Sequence, residues 1–501
     1  MAALNYFIYG MKIALQPINI FYCFSGVLFG TLTGVLPGFG PVAAISLLLP
    51  ITFYMSPTSA IIMLAGIYYG AQYGGSTTSI LLNIPGESSS VVTCLDGYQM
   101  AKQGRAGPAL GIAAFGSFIA GIFGVIGLML LAPPLAEMAL KFGPPEYVSL
   151  IILGLSMVAL LSTGSTIKAL IMAAFGLFLG IIGMDPILGQ LRFTYGILVL
   201  SDGVGLIPVV MGLFGISEIL LNIEKGMGTS SIVETKIKNL LPSVKDWMEV
   251  KWAILRGTLI GFFLGCLPGG GAMLASFVSY TVEKKVSKNP KKFGHGAIEG
   301  VAAPESANNA AAQSAFVPLF TLGLPSNPVT AIMLGAIMIH GLTPGPLLVI
   351  QSPDLFWGVI ASMIVGNAML LILNLPLIPL WVKVLKIPYS YLFPLILIFC
   401  IVGAYTISNN ISDTIVMLIF GIIGYFLKKL DYEPAPLVLA LVLGPMFEKA
   451  LVQSLRISYG SPWVFLTRPI SLGLLITVVL FSLVPYLTKL KQKVAETGFK
   501  E

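Results

Sequence analysis

The stretch from His295 to Gly345 constrains the fold most, because it interrupts membrane-type sequence with residues that a lipid-facing helix does not tolerate. Pro304 and Glu305 lead into Ser306, Asn308 and Asn309, then a run of small residues, then Gly323-Leu324-Pro325-Ser326-Asn327-Pro328. Hydrocarbon offers no hydrogen bonds. Irregular backbone at membrane depth therefore survives only where protein buries it or where it lines a watery cavity. Paired segments of this kind in two halves of a chain point to a binding site inside the membrane.

The rest of the chain reads as membrane helix. Of 501 residues, 56% are hydrophobic and only 10% are charged, against about 25% charged in soluble domains. Mean hydropathy is +0.93. Many apolar runs reach the roughly 20 residues needed to cross a bilayer. Gly 55 and Pro 33 exceed average usage, which favours broken, closely packed helices. The net charge of +7 fits cytoplasmic Lys and Arg facing the lipid bilayer, and nucleic acid is not an expected partner. Cys23, Cys94, Cys266 and Cys400 are scattered without CxxC or zinc spacing, so they read as packing residues. His295 and His340 have no partner at metal-ligand spacing, and no HExxH, GxSxG or P-loop occurs. An enzyme is not expected, nor a cofactor. No cleavable leader is evident, so the first span is expected to remain as an anchor.

In chain order, residues 1–16 read as an amphipathic arm on the membrane surface. Residues 18–56 read as helix, break, helix, with Pro37 and Gly38 at the break. Residues 57–107 hold pieces too short to span alone, around Ser76-Thr77-Thr78-Ser79 and Asn83-Ile84-Pro85-Gly86-Glu87-Ser88, and read as a re-entrant hairpin. Spans follow at about 109–132, 145–161, 166–183 and 203–222, then a polar linker at 223–250. The first pattern then returns. Gly261, Gly265, Leu267, Pro268, Gly269 and Gly271 fall on Gly30, Gly34, Leu36, Pro37, Gly38 and Gly40 at a constant offset, and Leu324-Pro325-Ser326 falls on Ile84-Pro85-Gly86. This is an internal repeat, with further spans at about 357–380, 388–404, 411–427, 434–447 and 470–488.

Charge orients the halves. After the first broken helix comes uncharged Thr52-Phe53-Tyr54-Met55-Ser56-Pro57; the second half has Glu283-Lys284-Lys285 and Lys288 to Lys292 there. After the hairpins the bias reverses, with Lys102 and Arg105 opposed to Ile337-Met338-Ile339-His340. Lys and Arg stay cytoplasmic, so equivalent loops face opposite sides. The expected fold is an all-α polytopic membrane protein of two inverted-topology repeats, each with a broken helix and a re-entrant hairpin. The first repeat covers 1–222 (hairpin about 57–107); the second covers 251–501 (hairpin about 295–345) and carries the C-terminal spans.

The hairpins hold the candidate site. Broken helices expose N–H groups whose positive end attracts anions. Ser76, Thr77, Thr78, Ser79, Asn83, Pro85, Gly86 and Ser88 in the first half, and Asn308, Pro325, Ser326 and Asn327 in the second, are the substrate-binding candidates. They suit a carboxylate without a buried fixed cation, although small residues here also permit close packing. Pro37, Gly38, Pro268 and Gly269 are the helix breaks. Glu305, with Asn309 and Glu299, is the candidate for a coupling ion, as a proton carrier or an Na+ ligand, because a carboxylate in membrane sequence is costly. A helix cap is the competing role for Glu305, and an interfacial position for Glu299.

These residues carry a resemblance. GTLTGVLPGFGPVAAISLLLP, GIYYGAQYGGSTTSILLNIPGE, FGHGAIEGVAAPESANNAAA and PLFTLGLPSNPVTAIMLGA resemble signature stretches of the large membrane subunit of the tripartite tricarboxylate transporter family. The likeness continues through GPPEY and FLTRPI. Pro325-Ser326-Asn327 departs from the Pro-Gly-Ser of many members, at a position that shapes the pocket. The resemblance implies a secondary transporter of the bacterial inner membrane for tricarboxylates, such as citrate, or related organic acids. It also implies cation-coupled symport, a small membrane subunit and a periplasmic substrate-binding protein. A binding-protein-independent carboxylate carrier and a membrane scaffold or receptor subunit are the alternatives.

Overall fold

The computed structural model describes residues 2–36, 39–162, 164–185, 189–224, 240–385 and 389–497. Pro37, Gly38 and linker residues 225–239 lie outside the described residues. Seven described helices are long and apolar enough to cross a membrane: Pro17–Val35, Ala106–Ala139, Pro144–Leu161, Leu206–Glu224, Pro353–Asn374, Ile411–Lys429 and Ala435–Ile457. Shorter apolar helices accompany them. The protein is all-α and polytopic. The one sheet among the described residues is a two-stranded ribbon pairing Gly183–Met184 with Leu191–Arg192.

The chain divides into two compact units, Met1–Glu137 with Gly205–Leu430, and Met138–Val204 with Asp431–Glu501. Both occurrences of the broken-helix and hairpin pattern lie in the larger unit. In the smaller unit, Gly176 packs so closely on Ala435–Ile457 that an added Cβ would lie 2.2 Å from Leu437 O. Arg192 bonds Glu448 at 2.5 and 3.1 Å, which ties the ribbon to that helix. Arg468 reaches Glu146 at 3.2 Å.

The larger unit is built on glycine contacts. Helix Pro17–Val35 turns Gly26, Gly30 and Gly34 to helix Pro57–Leu82, where an added Cβ would lie 2.3, 2.5 and 2.2 Å from the carbonyl oxygens of Met63, Ile67 and Ala71. Helix Val244–Gly265 repeats the arrangement. Gly257, Gly261 and Gly265 meet the carbonyls of Ala303, Ala307 and Ala311 at 2.3, 2.1 and 2.4 Å by the same construction. Lipid gives helices no hydrophobic drive to associate, so close backbone approach and dispersion hold them. The two breaks also correspond. Gly40 (φ 59°) and Gly271 (φ 52°) open the helices Gly40–Thr52 and Gly271–Val286 in a conformation that favours glycine.

One expectation needs correction. Residues 57–82 form one continuous helix of 26 residues rather than pieces too short to span. Gly70 and Gly74 do not break it, because they are contact points on Pro17–Val35, with added Cβ atoms 2.9 Å from Val27 O and 2.2 Å from Thr31 O. The N-terminal arm is a helix, Ala2–Ala14, packed on Pro353–Asn374. Tyr6 stacks on Trp357 at 5.5 Å and Tyr9 hydroxyl bonds Asp354.

Candidate functional site

The hairpin arms meet at two tips with the same backbone. Helix Pro57–Leu82 ends at Asn83 in the left-handed region (φ 57°); helix Phe316–Leu322 ends at Gly323 in the same region (φ 68°). Ile84-Pro85-Gly86 and Leu324-Pro325-Ser326 follow. Glu87 then caps Ser88–Ser90, ahead of helix Val91–Lys102, and Asn327 caps helix Pro328–Ile339. Each tip leans on its own broken helix. An added Cβ on Gly86 would lie 1.9 Å from Gly34 O. Gly269 N donates to Ser326 O at 2.8 Å. The returning arms, Val91–Lys102 and Pro328–Ile339, have 12 residues each, or about 18 Å, short of the roughly 30 Å hydrocarbon core.

Glu305 lies between the halves. Helix Glu299–Ser314 contains Pro304 without breaking, and every residue of it is buried. Glu305 Oε2 accepts from Ser76 Oγ at 2.5 Å and from Asn308 Nδ2 at 3.2 Å; Oε1 accepts from the Thr93 hydroxyl. The carboxylate of the second half is thus held by hydroxyls of the first. Asn309 faces the other way. Its Nδ2 donates to Glu305 O at 3.1 Å, Ser117 Oγ at 2.7 Å and Asn308 Oδ1 at 2.6 Å. No ion pair found among the described residues involves Glu305 or Glu87. No cluster of three His, Cys, Asp or Glu suited to a metal occurs among them either. The Glu305 carboxylate is instead surrounded by neutral donors, the Ser76 and Thr93 hydroxyls and the Asn308 amide.

The other candidates divide. Thr78 is committed to Val35 O at 2.9 Å and Ser79 to Ser90 O at 3.0 Å, so both fasten elements together. Thr77 is buried in the same helix. Asn83 and Ser88 are exposed at the first tip, Pro85 is half-buried, and Gly86 is buried. Pro325, Ser326 and Asn327 are buried at the second. Asn327 Nδ2 donates to Tyr68 OH at 2.9 Å. Pro268 and Gly269 form the second break. Glu299 is not brought to the Glu305 carboxylate; its Oε1 accepts from Ser287 Oγ at 3.1 Å.

Sequence reasoning missed Thr93, Ser117, Tyr68 and Gln313. Buried Ser306 Oγ, Asn309 Oδ1, Ser326 Oγ and both amide atoms of Gln313 have no hydrogen-bond partner among the described residues. Buried polar atoms are normally satisfied by protein or ordered water. For Gln313 the available signal was its spacing of four and eight residues from Asn309 and Glu305.

No solved structure matches the chain. A protein of Agrobacterium vitis, described as an uncharacterized 52.8 kDa protein in the TAR-I ttuC' 3' region, is 52% identical over 488 residues, 97% of each chain. A second from that organism, in the TAR-II ttuC' 3' region, is 54% identical over 237 residues, 47% of this chain and 98% of its own. An uncharacterized protein of Methanocaldococcus jannaschii is 22% identical over 277 residues, 54% of this chain and 64% of its own. The family model for the tripartite tricarboxylate transporter TctA family matches residues 20–439. With that match, and glycine-packed broken helices and paired hairpins around a buried carboxylate, this multi-pass membrane chain belongs to the TctA family, a family of transporters.

Proposed function

We propose that the chain is the large transmembrane subunit of a binding-protein-dependent secondary transporter in a bacterial inner membrane. It imports a tricarboxylate or related organic acid with H+ or Na+, by alternating access. A periplasmic binding protein delivers the acid and a small membrane subunit completes the complex. The two halves are inverted repeats, and the hairpins are re-entrant. Substrate carboxylates sit at the tips, at Asn83 to Ser88 and Pro325 to Asn327, where capped N-termini supply N–H groups. One observation carries the coupling role. Glu305 is fully buried with no basic partner among the described residues, and Ser76 and Thr93 of the other half hold its carboxylate. A charge so placed is costly unless a cation neutralises it. Loading Glu305 therefore changes the contact between halves, the linkage that symport needs. The test is uptake of labelled acids by the reconstituted complex under separate Na+ and pH gradients. Gradient-driven uptake of one acid class is expected. Carboxylate uptake indifferent to both gradients, or none at all, overturns the reading.

A further inference from the structure

The two tips share a backbone but not a charge. Asn327 completes its cap as a neutral amide: Oδ1 accepts from Thr330 N at 3.0 Å, and Asn327 N donates to Thr330 Oγ1 at 3.1 Å. Glu87 does the same work at the first tip. Its carboxylate accepts from Ser89 N at 3.0 Å and from the Ser89 hydroxyl, and Glu87 N donates to Ser90 Oγ at 3.4 Å. The cap itself therefore does not require a negative charge. Glu87 is nevertheless only 9% exposed, and an uncompensated charge there is expensive.

Among the described residues no cation pairs with Glu87. From Pro57–Leu82 comes Tyr68, which accepts from Asn327 Nδ2 at 2.9 Å, and from Glu299–Ser314 comes Glu305, held by Ser76 and Thr93. Helix Gly271–Val286 presents Tyr280, bonded to Asp96 at 2.9 Å, and Glu283, bonded to Arg256 at 2.8 and 2.7 Å. On Val91–Lys102, Cys94 is buried, while Asp96 is taken by the backbone N–H groups of Gly294, Gly296 and Ala297. Tyr98 lies beneath Lys102. Lys102, Lys284 and Lys285 are exposed at the ends of their helices. A substrate carboxylate arriving at the tips would meet a like charge that is hydrogen-bonded but paired with no cation among the described residues.

We infer that Glu87 takes up one monovalent cation, a proton or Na+, before or with the substrate carboxylate, so that anion binding is linked to cation loading at the first tip. This rests on the proposed carboxylate transport and adds a second loading site to Glu305. The variants are Glu87→Gln and Glu87→Asn, the latter copying the Asn327 cap. Apparent affinity for the labelled acid is measured in the reconstituted complex, in a pH series without Na+ and in an Na+ series at fixed pH. By linkage, the slope of log affinity against pH or log Na+ counts the cations taken up with substrate. Both variants should lose one unit of slope in one series, so that a tenfold change in that cation moves their affinity tenfold less than wild type. The series that changes identifies the cation. Wild-type slopes in both variants would overturn the inference. So would loss of binding in variants that remain monodisperse, since a neutral side chain stands for the loaded Glu87. A wild-type complex without cation-dependent binding would overturn the transport reading instead.

Discussion

Ser76 Oγ donates to Glu305 Oε2 at 2.5 Å across 229 residues of sequence. With the Thr93 hydroxyl on Oε1, both carboxylate oxygens of a second-half residue bind groups of the first half. A helix cap would use the backbone of its own helix. The cap expectation for Glu305 has no support in this geometry.

Glu305→Gln should therefore abolish uphill accumulation, by at least about tenfold, the loss of a factor worth about 1.4 kcal/mol. Glutamine keeps the shape but cannot bind a proton or a cation as a carboxylate does. Its NH2 cannot accept from whichever hydroxyl it faces. Exchange across proteoliposomes without a gradient is the control. Wild-type accumulation in this variant would make Glu305 structural.

The glycine contacts predict a stability pattern. Gly261→Val places its Cβ 2.1 Å from Ala307 O, and Gly30→Val places its Cβ 2.5 Å from Ile67 O. Overpacking costs about 1–3 kcal/mol or more where backbone must move, so both should lower the melting temperature in detergent. Gly473, with nothing within 4 Å of its added Cβ, should accept Ala without change. Equal melting of all three variants would remove glycine packing as the basis of the larger unit.

Much of this was legible because breakers and small residues have local meaning. Pro85, Pro325, Pro268 and Gly269 announced turns, and the glycine excess pointed to closely packed helices without saying which pairs meet. The Pro57–Leu82 helix was misread because Gly70, Gly74 and Gly75 look like breakers until a partner backbone covers two of them. Thr93, Ser117 and Tyr68 were missed because one hydroxyl in an apolar run carries no direction. Only the pairing of distant helices aims it.

Topology offers a separate check. Tyr54 follows the first broken helix and is 89% exposed; Lys288 follows the second and is exposed too. Inverted halves place them on opposite faces of the membrane. Cysteines introduced at each should react with an impermeant maleimide from opposite sides. Cys23, Cys94 and Cys400 are buried, and Cys266 is replaced beforehand. Labelling of both positions from one side would sink the inverted arrangement.

At the second tip, Asn327→Ala removes both the cap to Thr330 and the bond to Tyr68. Loss of an N-cap costs about 1 kcal/mol, so the protein should fold with slightly lower stability while substrate affinity falls several-fold. Asn83→Gly should leave stability nearly unchanged, because Asn83 is exposed and its φ of 57° suits glycine, while substrate affinity falls as at the second tip. Wild-type affinity in both variants would remove the tips from the site.

Asp96 joins the halves without touching Glu305. Its Oδ1 accepts from the N–H groups of Gly294, Gly296 and Ala297 at 2.9, 2.8 and 2.8 Å, and Oδ2 accepts from Tyr280 OH at 2.9 Å. The loop entering helix Glu299–Ser314 is thereby fixed to helix Val91–Lys102. Asp96→Ala would leave buried N–H groups unpaired, each costing about 1–3 kcal/mol. Gly300→Ala would force a Cβ to 2.3 Å from Asp96 Oδ2 and disturb the same contact from the other side. Asp96→Asn keeps one carbonyl oxygen for the three N–H groups and should retain much of the stability. The expected order of melting temperature is wild type, then Asn, then Ala, with the cation slope of substrate binding unchanged in the Asn variant. A change in that slope with Asn would instead make Asp96 a cation-loading group. Its satisfied backbone shell argues against that, because three N–H groups already stabilise its charge.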